Sequence, residues 1–222
     1  MDDNFDLGAI AGYSGLFLQG AGTTLGLIAI AASLSFLISI GGAATVRWGA
    51  KWARRLVMAY VELIRNTPFI VQMFFIFFGL PSLGLKLTAI TAAIIAVTVN
   101  LTAYCIEILR AGIEAVPPGQ REAGLALGLP PIWVFFSVIL PQAIANVYPA
   151  LVSQIILTML ESAVVSKIAV MDLTHVADLI QSRNYRTFEA YFVVAMIYLV
   201  MAICLRRLMA RVGQRLFAGR VR

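Results

Sequence analysis

Glu161 lies within an apolar run beside Ser162, and a carboxylate in that setting costs about 2.5 to 3.5 kcal/mol on insertion scales unless it is paired or reaches water. One reading makes it a path carboxylate that meets a cationic group; the other pairs it with Lys167, Arg65 or a cation of another subunit. Gln72, Asn100 and Gln154 are open to the same two readings, lining a hydrated path or hydrogen-bonding between helices. Glu107 with Arg110, and Glu62 with Arg65, are three residues apart and fit ion pairs on one helix. His175 is the one histidine, and without a second His or Cys beside it a metal site has no support. Cys105 and Cys204 sit in apolar segments and read as small hydrophobes. The sequence contains neither a Gly-rich phosphate loop ending in Lys-Ser/Thr nor a nucleophile with its base. No catalytic residue, metal or cofactor is therefore assigned to this chain, and an intramembrane enzyme ranks last.

The elements that hold these groups are apolar helices. Hydrophobic residues make up 61% of the 222 positions and charged ones 13%, a composition suited to hydrocarbon rather than water. With about 20 residues needed per crossing, the apolar runs predict about five spans, near residues 24–41, 56–80, 87–109, 143–168 and 191–205, in an all-α membrane protein forming one transmembrane domain over residues 1–222. The second run is interrupted by Arg65, Asn66, Thr67 and Pro68, which must kink it or mark where the true span begins. Lys86, Lys167, Arg183 and Arg186 fall at outer ends, and all other lysines and arginines fall inside. This bias predicts a periplasmic N-terminus and a cytoplasmic C-terminus. The net charge of +6 thus orients helices; it forms no basic stripe with aromatic readers, and nucleic acid is not an expected partner. Met1 to Asp6 lacks a basic n-region, so the mature chain is expected to keep its N-terminus.

The long polar interruption covers residues 111–128 and an amphipathic stretch follows it; the cytoplasmic loop within them, residues 117–141, has its own punctuation. Pro117 and Pro118 suit a first helical turn, Gly128 suits a C-terminal cap, and Pro141 is expected to end a second piece. Two short helices with a sharp bend would present Gln120, Arg121 and Glu122 to a soluble partner, with Ala123 and Gly124 permitting close backbone approach. Glu122-Ala123-Gly124, then Gly128, then Ile139-Leu140-Pro141 at the proper spacing resembles the EAA loop of ABC importer permeases. Gly124 replaces the usual Ala and Val138 the usual Ile. In that family the element docks into a groove on a separate ATPase and carries nucleotide-driven motion into the membrane.

Two further stretches are similar to the polar amino-acid permeases of that family. Residues 60–72 with 74–81 resemble their second-span signature, with Asn66 where Gly is usual, and residues 103–113 with Val116-Pro117 and Gly119-Gln120 match their approach to the EAA loop. Leu160-Glu161-Ser162-Ala163 resembles their Lys-(Asp/Glu/Asn)-Thr-Ser, with Leu160 in place of Lys. The resemblance implies the type I ABC importer permease fold in the bacterial cytoplasmic membrane. It also implies a homodimer or a heterodimer with a related permease, two ATP-binding subunits carrying ATP and Mg, and a periplasmic or extracellular substrate-binding protein. A secondary transporter driven by ions or protons is the alternative.

Overall fold

The computed structural model describes residues 8–217. After a single helical turn at Gly8–Ala11 come eight helices, and no strand occurs among the described residues. Helix α1 is Ser14–Trp48, α2 Lys51–Arg65, α3 Phe69–Ser82, α4 Ala89–Glu114, α5 Pro118–Ala126, α6 Pro131–Ile168, α7 Leu173–Asn184 and α8 Thr187–Phe217. Four of them, α1, α4, α6 and α8, are long and apolar enough to cross a membrane. The pair α2 and α3 makes a fifth crossing if counted together.

Helix α4 is the most buried of the four, and its sequence explains why. Ala92, Ala93, Ala96 and Ala103 are fully buried, and such small side chains let neighbouring helices approach closely where lipid offers no hydrophobic drive to association. Helix α1 packs along it and buries one stripe that includes Thr24, Leu27, Ala31, Ser35, Ser39 and Ala43, spaced by three or four residues as a single helical face requires. The rest of its surface exposes Leu18, Leu25, Leu34, Leu37 and Ile38. Ser35 Oγ donates to the Thr98 carbonyl at 3.0 Å, tying α1 to α4 inside the apolar core.

The expected boundaries need two corrections, at the ends of α1 and α8 and at Pro141. Helix α1 has 35 residues and α8 has 31, about 50 Å each at 1.5 Å per residue, because nothing in the sequence breaks the helix where the apolar run stops. The second run is kinked at Arg65–Pro68 as its sequence implies: α2 and α3 meet at 109°. Pro68 has no N–H to continue α2, and the carbonyls left bare at the break are taken by the Gln72 side chain, whose Nε2 donates to Ile64 O at 2.7 Å and Thr67 O at 3.0 Å. Pro141 does not end the piece before it. Helix α6 runs through, because residues Phe135–Ile139 form a π turn in which the Leu140 N–H reaches back to Phe135 O. The wider turn accommodates the prolyl ring and its missing donor within a continuous helix. The same device recurs at Phe75–Gly79, again followed by Leu-Pro.

Helix α7 lies beside α1 and α8. Asp172 is its cap, fully buried, accepting the His175 N–H at 2.9 Å, while Thr24 of α1 accepts the Leu173 N–H at 3.2 Å. Burial pushes the Asp172 carboxyl above its ordinary range, and the hydrogen bonds from the His175 and Thr174 amides oppose that rise without cancelling it.

Candidate functional site

Residues 117–141, the expected coupling segment, are assembled by local chemistry. Pro118 starts α5 with Pro117 in extended backbone before it. Gly128 follows the helix with φ +78°, the left-handed conformation that glycine adopts without a Cβ penalty. Its N–H donates to Leu125 O at 2.9 Å, and the Leu129 N–H donates to Gly124 O at 3.2 Å. These two bonds make a Schellman turn. Pro130 and Pro131 then start α6, so the chain reverses between two rigid proline-led helices. A Cβ on Gly124 would stand 3.0 Å from Val134 Cγ2, which is how closely the arms are pressed together.

The predicted coupling residues divide into two groups. Gln120, Arg121, Glu122 and Ala123 are exposed on α5. Gly124 and Leu140 are buried, and Pro141 is half-buried, so these three shape the element and its junction with α6 rather than offering a surface. Leu127 is 81% exposed and Trp133 62%. Together with Ile132 they add an apolar surface that the motif did not single out, although bulky apolar residues flanking a polar Pro-Gly turn are a readable signal of a partner.

Of the path candidates on different helices, this one chain bonds Gln72 to Asn100. Glu161 is exposed at the point where α6 tightens into the 3₁₀ stretch Ser162–Ile168. Its two proposed intrachain partners are engaged elsewhere: Lys167 Nζ lies 3.3 Å from Asp178, and Arg65 lies 3.7 Å from Glu107. Ser162 is buried and donates to Met159 O at 2.7 Å. Gln72 and Asn100 are buried and bonded to each other, Asn100 Nδ2 to Gln72 Oε1 at 3.0 Å, which is the interhelical role. Gln154 is half-buried on α6.

Ion pairing on α4 follows the expected pattern, with Arg110 bridging Glu107 at 3.0 Å and Glu114 at 2.7 Å. The Glu62–Arg65 pairing needs correction. The bend after α2 instead directs Arg65 to Glu107 of α4, with its guanidinium over the Tyr104 ring. Among the described residues no cluster of His, Cys, Asp and Glu has metal-binding geometry.

Residues 35–218 match the family model for the binding-protein-dependent transport system inner membrane component. The chain belongs to this family. Among its relatives is a probable glutamine ABC transporter permease protein of Bacillus subtilis, 36% identical over 191 residues, or 85% of this chain and 87% of that one. The glutamine transport system permease protein of Escherichia coli is 32% identical over 96% of this chain and 98% of its own. A crystal structure of an amino acid ABC transporter with histidines superposes with a TM-score of 0.86 at 39% identity, covering 96% of this chain and 99% of that one. A methionine ABC transporter in an inward-facing conformation gives a TM-score of 0.80 at 19% identity and shares the fold. That fold is the type I importer permease. These relatives are permease subunits of ABC transporters, a class that is not itself enzymatic.

Proposed function

We propose that this permease forms, with a second permease subunit, the path by which a polar amino acid crosses the bacterial inner membrane, driven by ATP hydrolysis on separate subunits. The observation that carries the reading is the α5 arm, locked by the Gly128 turn and pressed through Gly124 onto the start of α6. Its exposed Gln120, Arg121, Glu122 and Ala123 form the ATPase-facing surface. Gly124, Gly128, Leu140 and Pro141 hold the arm rigidly to the membrane helix, so a displacement at the ATPase moves α6. ATP and Mg belong to the partner. The names of the relatives, glutamine and arginine permeases among them, support a polar amino acid as cargo, delivered by an external binding protein. Glu161 lies on the surface of the single chain with no ion pair among the described residues, which suits a path completed by a partner, whether a second copy or a related chain. There its carboxylate attracts the ammonium or side-chain cation of the passing solute.

The test is uptake into vesicles containing the complex purified with its partners. Uptake of a labelled polar amino acid is expected only with ATP and the binding protein present. Accumulation driven by an ion gradient without nucleotide would overturn the reading in favour of a secondary transporter. The orientation, N-terminus outside and C-terminus inside, concerns termini that lie outside the described residues. Single cysteines at Asp3 and Gly219, in a chain lacking Cys105 and Cys204, test it. An impermeant thiol reagent on intact cells should label the first and spare the second.

A further inference from the structure

Where α1 ends, α2 begins and α5 folds back, a cavity of about 400 Å³ is lined by Arg47, Trp48, Arg54 and Arg121 together with apolar Val116 and Ile139. Among the described residues none of these three arginines forms an ion pair. Two carboxylates also line the space. Glu114 is committed to Arg110 at 2.7 Å, which leaves Glu122 alone against three guanidiniums. Arg47 is held over the Trp48 ring at 5.7 Å, a geometry that leaves the guanidinium edge available to an anion.

A second cavity of about 640 Å³ shares Trp48, Arg121 and Ile139 with the first and, Thr45 apart, is otherwise lined by apolar groups such as Ala44, Leu125 and Phe135. A free anion would use the basic space and leave the apolar one empty. A molecule with a phosphate at one end and hydrocarbon at the other uses both.

We propose that this junction is a binding site for one anionic phospholipid, its phosphate among Arg47, Arg54 and Arg121 and an acyl chain along the apolar cavity. The proposal rests on the orientation given above, which sets this end against the cytoplasmic leaflet, where anionic lipids attract juxtamembrane basic groups. Helix α2 is suited to that depth. It stands at 109° to α3 and exposes Trp52 and Leu56 beside Lys51 and Arg55, the mixture of a helix lying in the interface. Because Arg121 belongs to the coupling arm, a bound lipid ties that arm to α1 and α2.

The chain has three tryptophans, so Trp52→Phe with Trp133→Phe leaves Trp48, which lines both cavities, as the only reporter. The full chain is reconstituted in phosphatidylcholine vesicles containing a small fraction of brominated phosphatidylglycerol or brominated phosphatidylcholine, and quenching of Trp48 is measured. The anionic lipid is expected to quench at about fivefold lower mole fraction or less, from the contribution of a basic side chain near the surface. Arg47→Gln with Arg54→Gln should bring the two lipids to parity, whereas Arg47→Lys with Arg54→Lys, which keeps the charge, should preserve the preference. Equal quenching by both lipids in the parent, or a preference that survives the glutamine pair, overturns the proposal. Loss of the preference on adding inorganic phosphate identifies a free-anion site and also overturns it. Neither ATPase nor solute is needed, so failure here leaves the transport reading standing.

Discussion

Replacing Gly128 with Val puts a β-branched residue at φ +78°, a conformation that costs an L-residue about 1 to 2 kcal/mol and is harder still for branched side chains. A Cβ at this position meets no atom within 4 Å, so the penalty comes from the backbone alone. Relaxing φ instead would break the Gly128-to-Leu125 and Leu129-to-Gly124 bonds, at about 0.5 to 1.5 kcal/mol each. A total near 2 kcal/mol shifts the balance between closed and opened turn by about 30-fold. The helices that cross the membrane are untouched, so insertion should be normal. The assay is the amount of ATPase that co-purifies with equal amounts of tagged chain, measured together with ATP-driven uptake. Gly128→Val should lower both about tenfold or more, and Gly128→Asn, which tolerates the left-handed region, should recover most of the loss. Wild-type co-purification and uptake in the valine variant would refute the role of the turn. An asparagine variant as impaired as the valine one would refute the backbone argument and point to side-chain bulk at the docking surface.

Glu161→Gln removes a charge but keeps shape and an acceptor; a lost charged contact of about 1.5 to 3 kcal/mol corresponds to about one to two decades in affinity, so uptake should fall while complex yield stays normal. Low yield would instead mark a structural pair with a partner's cation, and unchanged uptake at normal yield would exclude both roles. Gln72→Leu strands the carbonyls of Ile64 and Thr67 and the Asn100 amide, each loss costing about 1 to 3 kcal/mol, and should lower the thermal midpoint of the purified chain; an unchanged midpoint would show that the bend does not depend on this side chain. Asp172 has a raised folded pKa, so its stabilising contribution is fully present below about pH 4 and is lost as pH rises through the folded value. Asp172→Asn keeps the cap acceptor, and its thermal midpoint should lack that acid-side slope; an identical slope in both proteins would exclude the buried carboxyl as its source.

The helix–turn–helix geometry of residues 118–134 was legible in the sequence because local rules govern it. Two proline pairs set where helices begin, and Gly128 alone adopts the required turn, so spacing within about twenty residues carried most of the geometry. The apolar runs likewise marked the crossings, since hydrocarbon accepts little else. What hydropathy lacks in a membrane is a difference between core and lipid-facing sides: both are apolar, so the stripe from Thr24 to Ala43 and the central place of α4 emerge only when helices pack.

Proline signals were similarly incomplete. Pro68 breaks the chain by 109° while Pro141 is absorbed in a π turn, because the outcome depends on whether nearby groups and a widened turn can satisfy the freed carbonyls. The ion pairs show the same division. Glu107 and Arg110 are three apart on one helix and could be read directly, whereas Arg65 turns from Glu62 to Glu107, and Lys167 to Asp178. Sequence separation determines which side chains share a helical face, but only the bend and the packing of helices determine which charges are near enough to meet.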